Sequence, residues 1–154
     1  MESEEITVMV VWPSVARFSL GSWLGELYAA DAGFYIFTVG NLVALASIPL
    51  AVGLYFFRLA RGFHYKLTNR RVLELQFGDV LRAIPLDGFD AIEVERLPGQ
   101  LWYDAGDLVF RRQDQEVFRL RAVSRPEAFH RTCWKSHQSF VGVKQALSRE
   151  AVPA

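Results

Sequence analysis

Hydrophobic and polar positions follow two different rhythms along this chain, and the change falls near residue 61. From Ala32 to Phe57 run 26 residues without a charge, AGFYIFTVGNLVALASIPLAVGLYFF, bounded by Asp31 and Arg58. A bilayer core takes about 20 apolar residues in a helix, so the run predicts a transmembrane helix over 32–57. Aromatics collect at its ends (Phe34, Tyr35 and Phe37; Tyr55, Phe56 and Phe57), where amphipathic rings favour the membrane interface. Gly40 and Pro49 would weaken a soluble helix but are tolerated in a membrane one. A buried core helix is the competing reading, and it fits poorly because soluble helices rarely run so far without charge. A cleavable signal peptide would start earlier, be shorter and follow bases rather than acids.

The stretch before this run, Trp12–Ala30, is apolar but interrupted by Arg17 and Glu26, with Gly21 and Gly25 inside it. Residues 1–31 therefore read as an N-terminal arm. Its helix either lies in the interface, with Phe18, Trp23, Leu24, Leu27 and Tyr28 on one face, or forms an imperfect second membrane helix. Arg58, Arg61, Lys66, Arg70 and Arg71 follow the apolar run with no acid among them, which places the C-terminal portion in the cytoplasm by the positive-inside rule. The small pairs Gly40/Ala44 and Ser47/Ala51 offer a contact face for self-association.

After Arg61 the period becomes two. Phe63, Tyr65 and Leu67 alternate with His64, Lys66 and Thr68, and Leu73, Leu75 and Phe77 alternate with Glu74 and Gln76. Asn69-Arg70-Arg71 between them makes a hairpin. Further runs at Leu81–Leu86, Ala91–Leu97, Leu101–Tyr103 (weak), Leu108–Arg112 and Val117–Ala122 are separated by Gly, Asp and Pro turns. Successive short strands without intervening helices predict an antiparallel sandwich or barrel over 62–148. Ser124-Arg125-Pro126-Glu127 matches a capping box opening a helix over about 124–147, with Ala128, Phe129, Cys133, Phe140, Val143 and Leu147 at helical spacing. Residues 149–154 form a flexible tail.

Several of these segments resemble a known family. Tyr65-Lys66-Leu67-Thr68-Asn69-Arg70-Arg71-Val72 is similar to the signature after the membrane helix in the bacterial PH-like (YdbS-like) membrane proteins. Ile84-Pro85-Leu86, Ile92-Glu93-Val94-Glu95, Asp104-Ala105-Gly106-Asp107-Leu108 and Ser124-Arg125-Pro126-Glu127-Ala128-Phe129 resemble its later elements in the same order, and Trp12-Pro13-Ser14 resembles the short element before its first helix. The resemblance spans roughly residues 6–147. It implies a membrane-anchored α+β chain: an N-terminal transmembrane region, then a pleckstrin-homology-like bent antiparallel β-barrel or sandwich capped by a C-terminal helix and facing the cytoplasm. Members often have two clear membrane helices, whereas the first here carries Arg17, Glu26 and Asp31.

Composition agrees with a chain divided between membrane and water: 51% hydrophobic residues and a mean hydropathy of +0.14 sit between a soluble globule and a polytopic membrane protein. Net charge is zero, yet residues 1–31 hold five acids and one base while residues 58–154 hold 16 bases and 12 acids. That excess is too dilute for nucleic-acid binding. Cys133 is the one cysteine, so no intramolecular disulfide framework exists. His130, Cys133 and His137 form a metal-like grouping without a visible fourth ligand, and a metal-dependent enzyme subunit is the least favoured reading. Glu93 and Glu95 share a strand face, expected to be solvated rather than catalytic. No cofactor, small-molecule substrate or enzymatic activity is expected.

Two arginine-rich groups remain. Arg58, Arg61, Lys66, Arg70 and Arg71 either set topology or, through the first hairpin, touch anionic lipid. Arg111, Arg112, Arg119 and Arg121 offer a partner-binding edge, unless cross-strand pairing with Asp107 or Glu116 neutralises it. The expected role is a protein-interaction or assembly adaptor at the cytoplasmic face of the cell membrane, with anionic-lipid recognition as the alternative.

Overall fold

The structure, a computed structural model, describes residues 4–34 and 37–150. Strand β1 (Thr7–Val11) precedes a 3-10 turn (Val15–Arg17) and helix α1 (Ser19–Ala29). A short ribbon of β2 (Asp31–Phe34) and β3 (Phe37–Thr38) leads into helix α2 (Val39–Arg61). There follow β4 (Phe63–Thr68), β5 (Arg71–Gln76), β6 (Asp79–Pro85), β7 (Ala91–Glu95), a 3-10 turn (Leu101–Tyr103), β8 (Ala105–Arg112), β9 (Gln115–Ser124) and helix α3 (Pro126–Glu150). Besides the ribbon, the strands form two antiparallel sheets, in the orders β1-β4-β5-β6 and β7-β8-β9. Among the described residues this is a small α+β protein with three α-helices.

The period-two runs give the strands their faces. Tyr65, Leu67, Val72, Ile84, Leu108, Phe110, Phe118 and Leu120 point into one core, closed on another side by Phe129 and Cys133 of α3. Phe110 sits 5.0 Å from Phe89 and 5.7 Å from Phe118, ring centre to ring centre and edge to face, the geometry aromatic pairs prefer. The hairpin at Asn69-Arg70 joins β4 to β5 with Leu67 opposite Val72, and the Thr68 hydroxyl accepts the amides of Arg70 (3.3 Å) and Arg71 (3.0 Å). At the β8–β9 turn Gln113 and Asp114 both take positive φ, as a two-residue hairpin loop requires.

The pattern does not announce β1. Its residues read as part of an apolar arm, yet they pair with β4 and continue the sheet. Asn69 secures it: its amide donates to the Ile6 carbonyl, its Oδ1 accepts from the Ile6 amide, and its Nδ2 donates to the Glu4 carbonyl, at 3.0, 3.0 and 3.2 Å. Glu5 bonds the Arg71 guanidinium with both oxygens at 2.7 Å. That bond is the main reason its carboxyl is lowered from 4.5 to about 2. Because the folded pKa lies below the unfolded one, this contribution is full above about 4.5 and is lost as pH falls towards about 2. Following the Glu5 carboxyl carbon by NMR is expected to give a midpoint well below 4, and high salt is expected to raise it because the pair is exposed. A midpoint near 4.5 would mean that Arg71 does not hold the strand.

The expected transmembrane helix over 32–57 is corrected. Among the described residues no helix is long and apolar enough to cross a membrane. The uncharged run is not one helix, because its first part is spent in the β2–β3 ribbon and α2 starts only at Val39. The uncharged helical stretch left before Arg58 spans about 28 Å at 1.5 Å per residue, short of a bilayer's hydrocarbon core at about 30 Å. The helix then continues through Arg58 and Arg61. It also packs on protein along one side: Leu54 and Ser47 are buried, and the Ser47 hydroxyl bonds that of Tyr28 on α1. The membrane-anchored fold class, with its N-terminal transmembrane region ahead of a bent barrel, is replaced by the α+β arrangement above.

Two smaller differences follow from local packing. Leu101–Tyr103, expected as a weak strand, is a 3-10 turn, organised by Gln100, whose Oε1 accepts the Leu97 amide at 3.0 Å. Helix α3 opens on Pro126 as expected, but the Glu127 carboxylate takes its own amide and the Arg96 guanidinium rather than closing a capping box.

Candidate functional site

Arg17 explains how the N-terminal segment is held. Its guanidinium lies under β5, bonding Glu74 at 2.6 Å and the Tyr65 hydroxyl, with its central carbon 4.0 Å from the centre of the Phe63 ring. Glu74, only 3% exposed, also receives Arg82 through Nε at 2.7 Å. The Tyr65 hydroxyl donates to the Arg121 carbonyl at 2.7 Å, and burial pushes its phenol pKa up, so it stays a donor. The residue that interrupts the apolar arm in the sequence is therefore a structural tie.

The basic group Arg58, Arg61, Lys66, Arg70 and Arg71 is divided by β4. Arg58 and Arg61 end α2, with Arg61 over the Phe57 ring at 4.6 Å, whereas Arg70 and Arg71 sit at the far end of the strand. Six residues of strand separate the ends by about 20 Å. Lys66 is half-buried between them, opposite Leu73. The structure brings them together as two pairs, not one cluster.

Arg111, Arg112, Arg119 and Arg121 share the β8–β9 hairpin, and the first and third are neutralised there. Arg111 bonds Glu93 at 2.8 Å. Arg119 bonds Glu116 at 2.7 Å, Glu95 at 2.8 Å and Asp107 at 3.1 Å, and the Glu116 bond is the largest cause holding its guanidinium pKa up. Arg112 and Arg121 are exposed. The Glu93/Glu95 pair is thus bound to arginines. The His130 ring donates to the Ile92 carbonyl (3.1 Å) and His137 to that of Leu86 (2.6 Å). Cys133 lies in the core with its thiol pKa pushed up by burial. The two histidines are thus bonded to backbone carbonyls and the cysteine is packed in the core. Among the described residues no group of three or more His, Cys, Asp or Glu is placed to hold a metal ion.

Three surface features remain. First, α2 buries Ser47 and Leu54 towards α1 and leaves Ile48, Leu50, Val52, Phe56 and Leu59 each 41–63% exposed, with Leu20 and Trp23 of α1 also exposed. Ile48, Val52, Phe56 and Leu59 fall on one side of α2 at helical spacing, so the exposed apolar side chains form a stripe rather than scattered single positions. Second, a groove of about 1190 Å³ runs between β1, the β4–β5 turn and α3. Arg70, Arg71, Lys135 and Lys144 line it against one acid, Glu5, with Phe140, Val143 and Leu147 as its apolar strip; of the bases, Arg71 is paired with Glu5 and Lys144 with Asp87 just outside the lining. Third, a smaller cavity of about 370 Å³ lies between α1, α2 and the Leu101–Tyr103 turn, with Arg58 in its wall. Burial there, and secondarily the neighbouring Tyr28 phenol, raise the pKa of Tyr103. Lys135 and Lys144 were not singled out in the sequence; only the fold sets them in the same groove as Arg70.

Comparison with protein families, curated proteins and solved structures finds no match to this chain. The resemblance to the bacterial PH-like membrane family thus rests on the short motifs alone.

Proposed function

We propose that the chain is an interaction module, not an enzyme, resting on a lipid surface through the exposed apolar face of α2. The observation that carries the reading is that face: Ile48, Val52, Phe56 and Leu59 stand in water on a helix ending in Arg58 and Arg61. A helix with an apolar side and basic residues at its end is suited to lying in the headgroup region without spanning. The groove lies at the other end of β4, so it stays open to a partner while α2 is occupied. Its excess of base over acid selects an acidic, amphipathic segment of another protein.

The test is co-sedimentation of the full chain with vesicles. Binding is expected to neutral phosphatidylcholine as well as anionic vesicles, and to fall at least about tenfold in the Phe56→Asp/Leu59→Asp variant, since each apolar side chain contributes on the order of 1.5–3 kcal/mol when buried. Charge reversal of Arg70 and Arg71 is expected to leave it unchanged. Binding that needs anionic lipid and is lost with Arg70 and Arg71 would instead favour headgroup recognition by the first hairpin. Charge reversal of Lys135 and Lys144 is expected to weaken capture of an acidic amphipathic peptide without touching vesicle binding; an unaltered peptide affinity would remove the groove from the proposal.

A further inference from the structure

We infer that the turn between β5 and β6, with Phe77 at its tip, is a second point of contact with lipid, entering the same surface as α2. The inference rests on the lipid-surface reading of α2 and adds where that surface continues and how the chain is oriented on it.

The turn holds a residue that its backbone does not favour. β5 ends at Gln76 and β6 begins at Asp79, so Phe77-Gly78 is a two-residue loop, and both residues take positive φ, 53 and 95. Such a loop favours Asn-Gly or Gly-Gly, because a bulky side chain is strained at positive φ. Phe77 nevertheless takes the first position and stays 70% exposed. One side of its ring rests against Gly62, where an added β-carbon would lie 2.7 Å from it. A large apolar residue that strains the backbone and still stands in water points to a function rather than to the fold. Val80 and Leu81 beside it are 52% and 49% exposed. The register shift in the β5–β6 pairing makes Leu81 the extra residue, so two consecutive apolar side chains reach the surface.

The turn is also fastened to the end of α2. The Phe77 amide donates to the Gly62 carbonyl and Gln76 Nε2 to the Arg61 carbonyl, each at 3.2 Å, and the Gly62 amide donates to the Leu59 carbonyl at 3.1 Å. Carbonyls of a last helical turn otherwise depend on water or caps, and backbone groups enter an apolar medium cheaply only when already paired. Here the tip and the helix end pair each other, so they can leave water together. Leu59 carries the exposed stripe of α2 to this joint, and the Arg61 guanidinium lies over the Phe57 ring at 4.6 Å. An apolar stem with a basic head suits the headgroup level. Asp79, exposed and opposite Gln76, keeps the base of the turn in water and limits entry to the tip.

The test measures partitioning of the full chain onto phosphatidylcholine vesicles by co-sedimentation. Phe77→Asn restores the favoured Asn-Gly loop, so its urea midpoint is expected to equal or exceed the native one. Its partition coefficient is expected to fall about fivefold or more, the scale of part of a phenyl ring returned to water. If the ring serves only to pack on Gly62, the midpoint falls and partitioning stays, which overturns the inference. A bimane label on Phe77→Cys gives a second readout, since Cys133 is buried and stays unlabelled. Its emission is expected to shift to the blue on vesicles and to be quenched by phosphatidylcholine carrying a nitroxide high on the acyl chain. The same label on Asp114→Cys, at the β8–β9 turn, is expected to stay unquenched. No quenching at residue 77 overturns the inference even if Phe77→Asn fails to fold. Phe77→Asn without effect while Phe56→Asp/Leu59→Asp loses binding removes the turn and leaves the α2 reading standing. Binding unchanged in Phe56→Asp/Leu59→Asp removes the α2 reading instead, because the label at residue 77 reports on the turn separately. Loss of self-association rather than of vesicle binding in Phe77→Asn would assign the turn to a second copy and overturn the inference.

Discussion

Glu74→Ala is expected to lower the unfolding free energy by about 3–5 kcal/mol, the cost of removing one partner from a buried ion pair. Glu74 is buried on the same face of β5 as Val72, opposite Tyr65 at the edge of the core, and its two oxygens serve different arginines. Arg17 is 15% exposed on its side chain and Arg82 is 52% exposed. Without Glu74, Arg82 swings into water, but Arg17 stays under the sheet with a charge and no carboxylate. Arg82→Ala leaves the Arg17–Glu74 pair intact and, as an exposed partner, is expected to cost no more than about 1 kcal/mol. Urea unfolding of both variants separates the two: the Glu74→Ala midpoint falls far more than that of Arg82→Ala, with the slope unchanged. Equal shifts would show that Arg17 is not buried beneath β5. Since domains are stable by only about 5–15 kcal/mol, the first variant is also expected to be partly unfolded at body temperature.

Gly99→Ala is expected to cost roughly 2–5 kcal/mol, combining a left-handed backbone position, about 1–2, with overpacking, about 1–3. Gly99 has φ +80, and a β-carbon there would lie 2.0 Å from the Ser22 carbonyl oxygen of α1. The contact is reciprocal, since a β-carbon on Gly25 would meet the Gly99 carbonyl at 2.2 Å. Backbone meets backbone on both sides, so no side chain can turn away and α1 must lift. Gly78→Ala is the control: its φ is +95, but nothing lies within 4 Å of the added carbon. It carries the backbone cost alone. The excess of Gly99→Ala over Gly78→Ala measures how firmly α1 is seated, and a matched pair of urea curves with no excess would mean that α1 does not rest on this loop.

These residues also mark where the sequence can and cannot be read. The alternation of Tyr65 and Leu67 with Lys66, and the Asn69-Arg70 turn, fix a hairpin because strand faces and turn chemistry are local properties. The same holds for α3, where Phe129 and Cys133 fall on the packed side at helical spacing. Arg17 and Gly25 carry no such local signature. An arginine within an apolar segment reads as a defect in a membrane helix until its partner, 57 residues away, is known. Glycines in a helix read as weakness until another backbone is found against them. The apolar run at 32–57 failed in a similar way: composition measures how apolar a segment is, and not whether it remains one helix or what covers its sides.

The candidate surfaces divide along the same line. Arg58, Arg61, Lys66, Arg70 and Arg71 follow one another closely in the chain, but a strand extends by about 3.3 Å per residue and carries the two ends of that group apart. Arg70 then joins Lys135 and Lys144 in the same groove, and Arg58 enters the wall of a cavity formed by two helices and a turn. By itself the sequence determined the period-two strands after Arg61, the turns between them, the C-terminal helix and the stock of apolar and basic residues, because these depend on neighbours a few positions away. The tertiary structure alone decided that Thr7–Val11 joins the sheet and that Arg17 is tied down by Glu74. Those depend on contacts between residues distant in the chain, which no local pattern records.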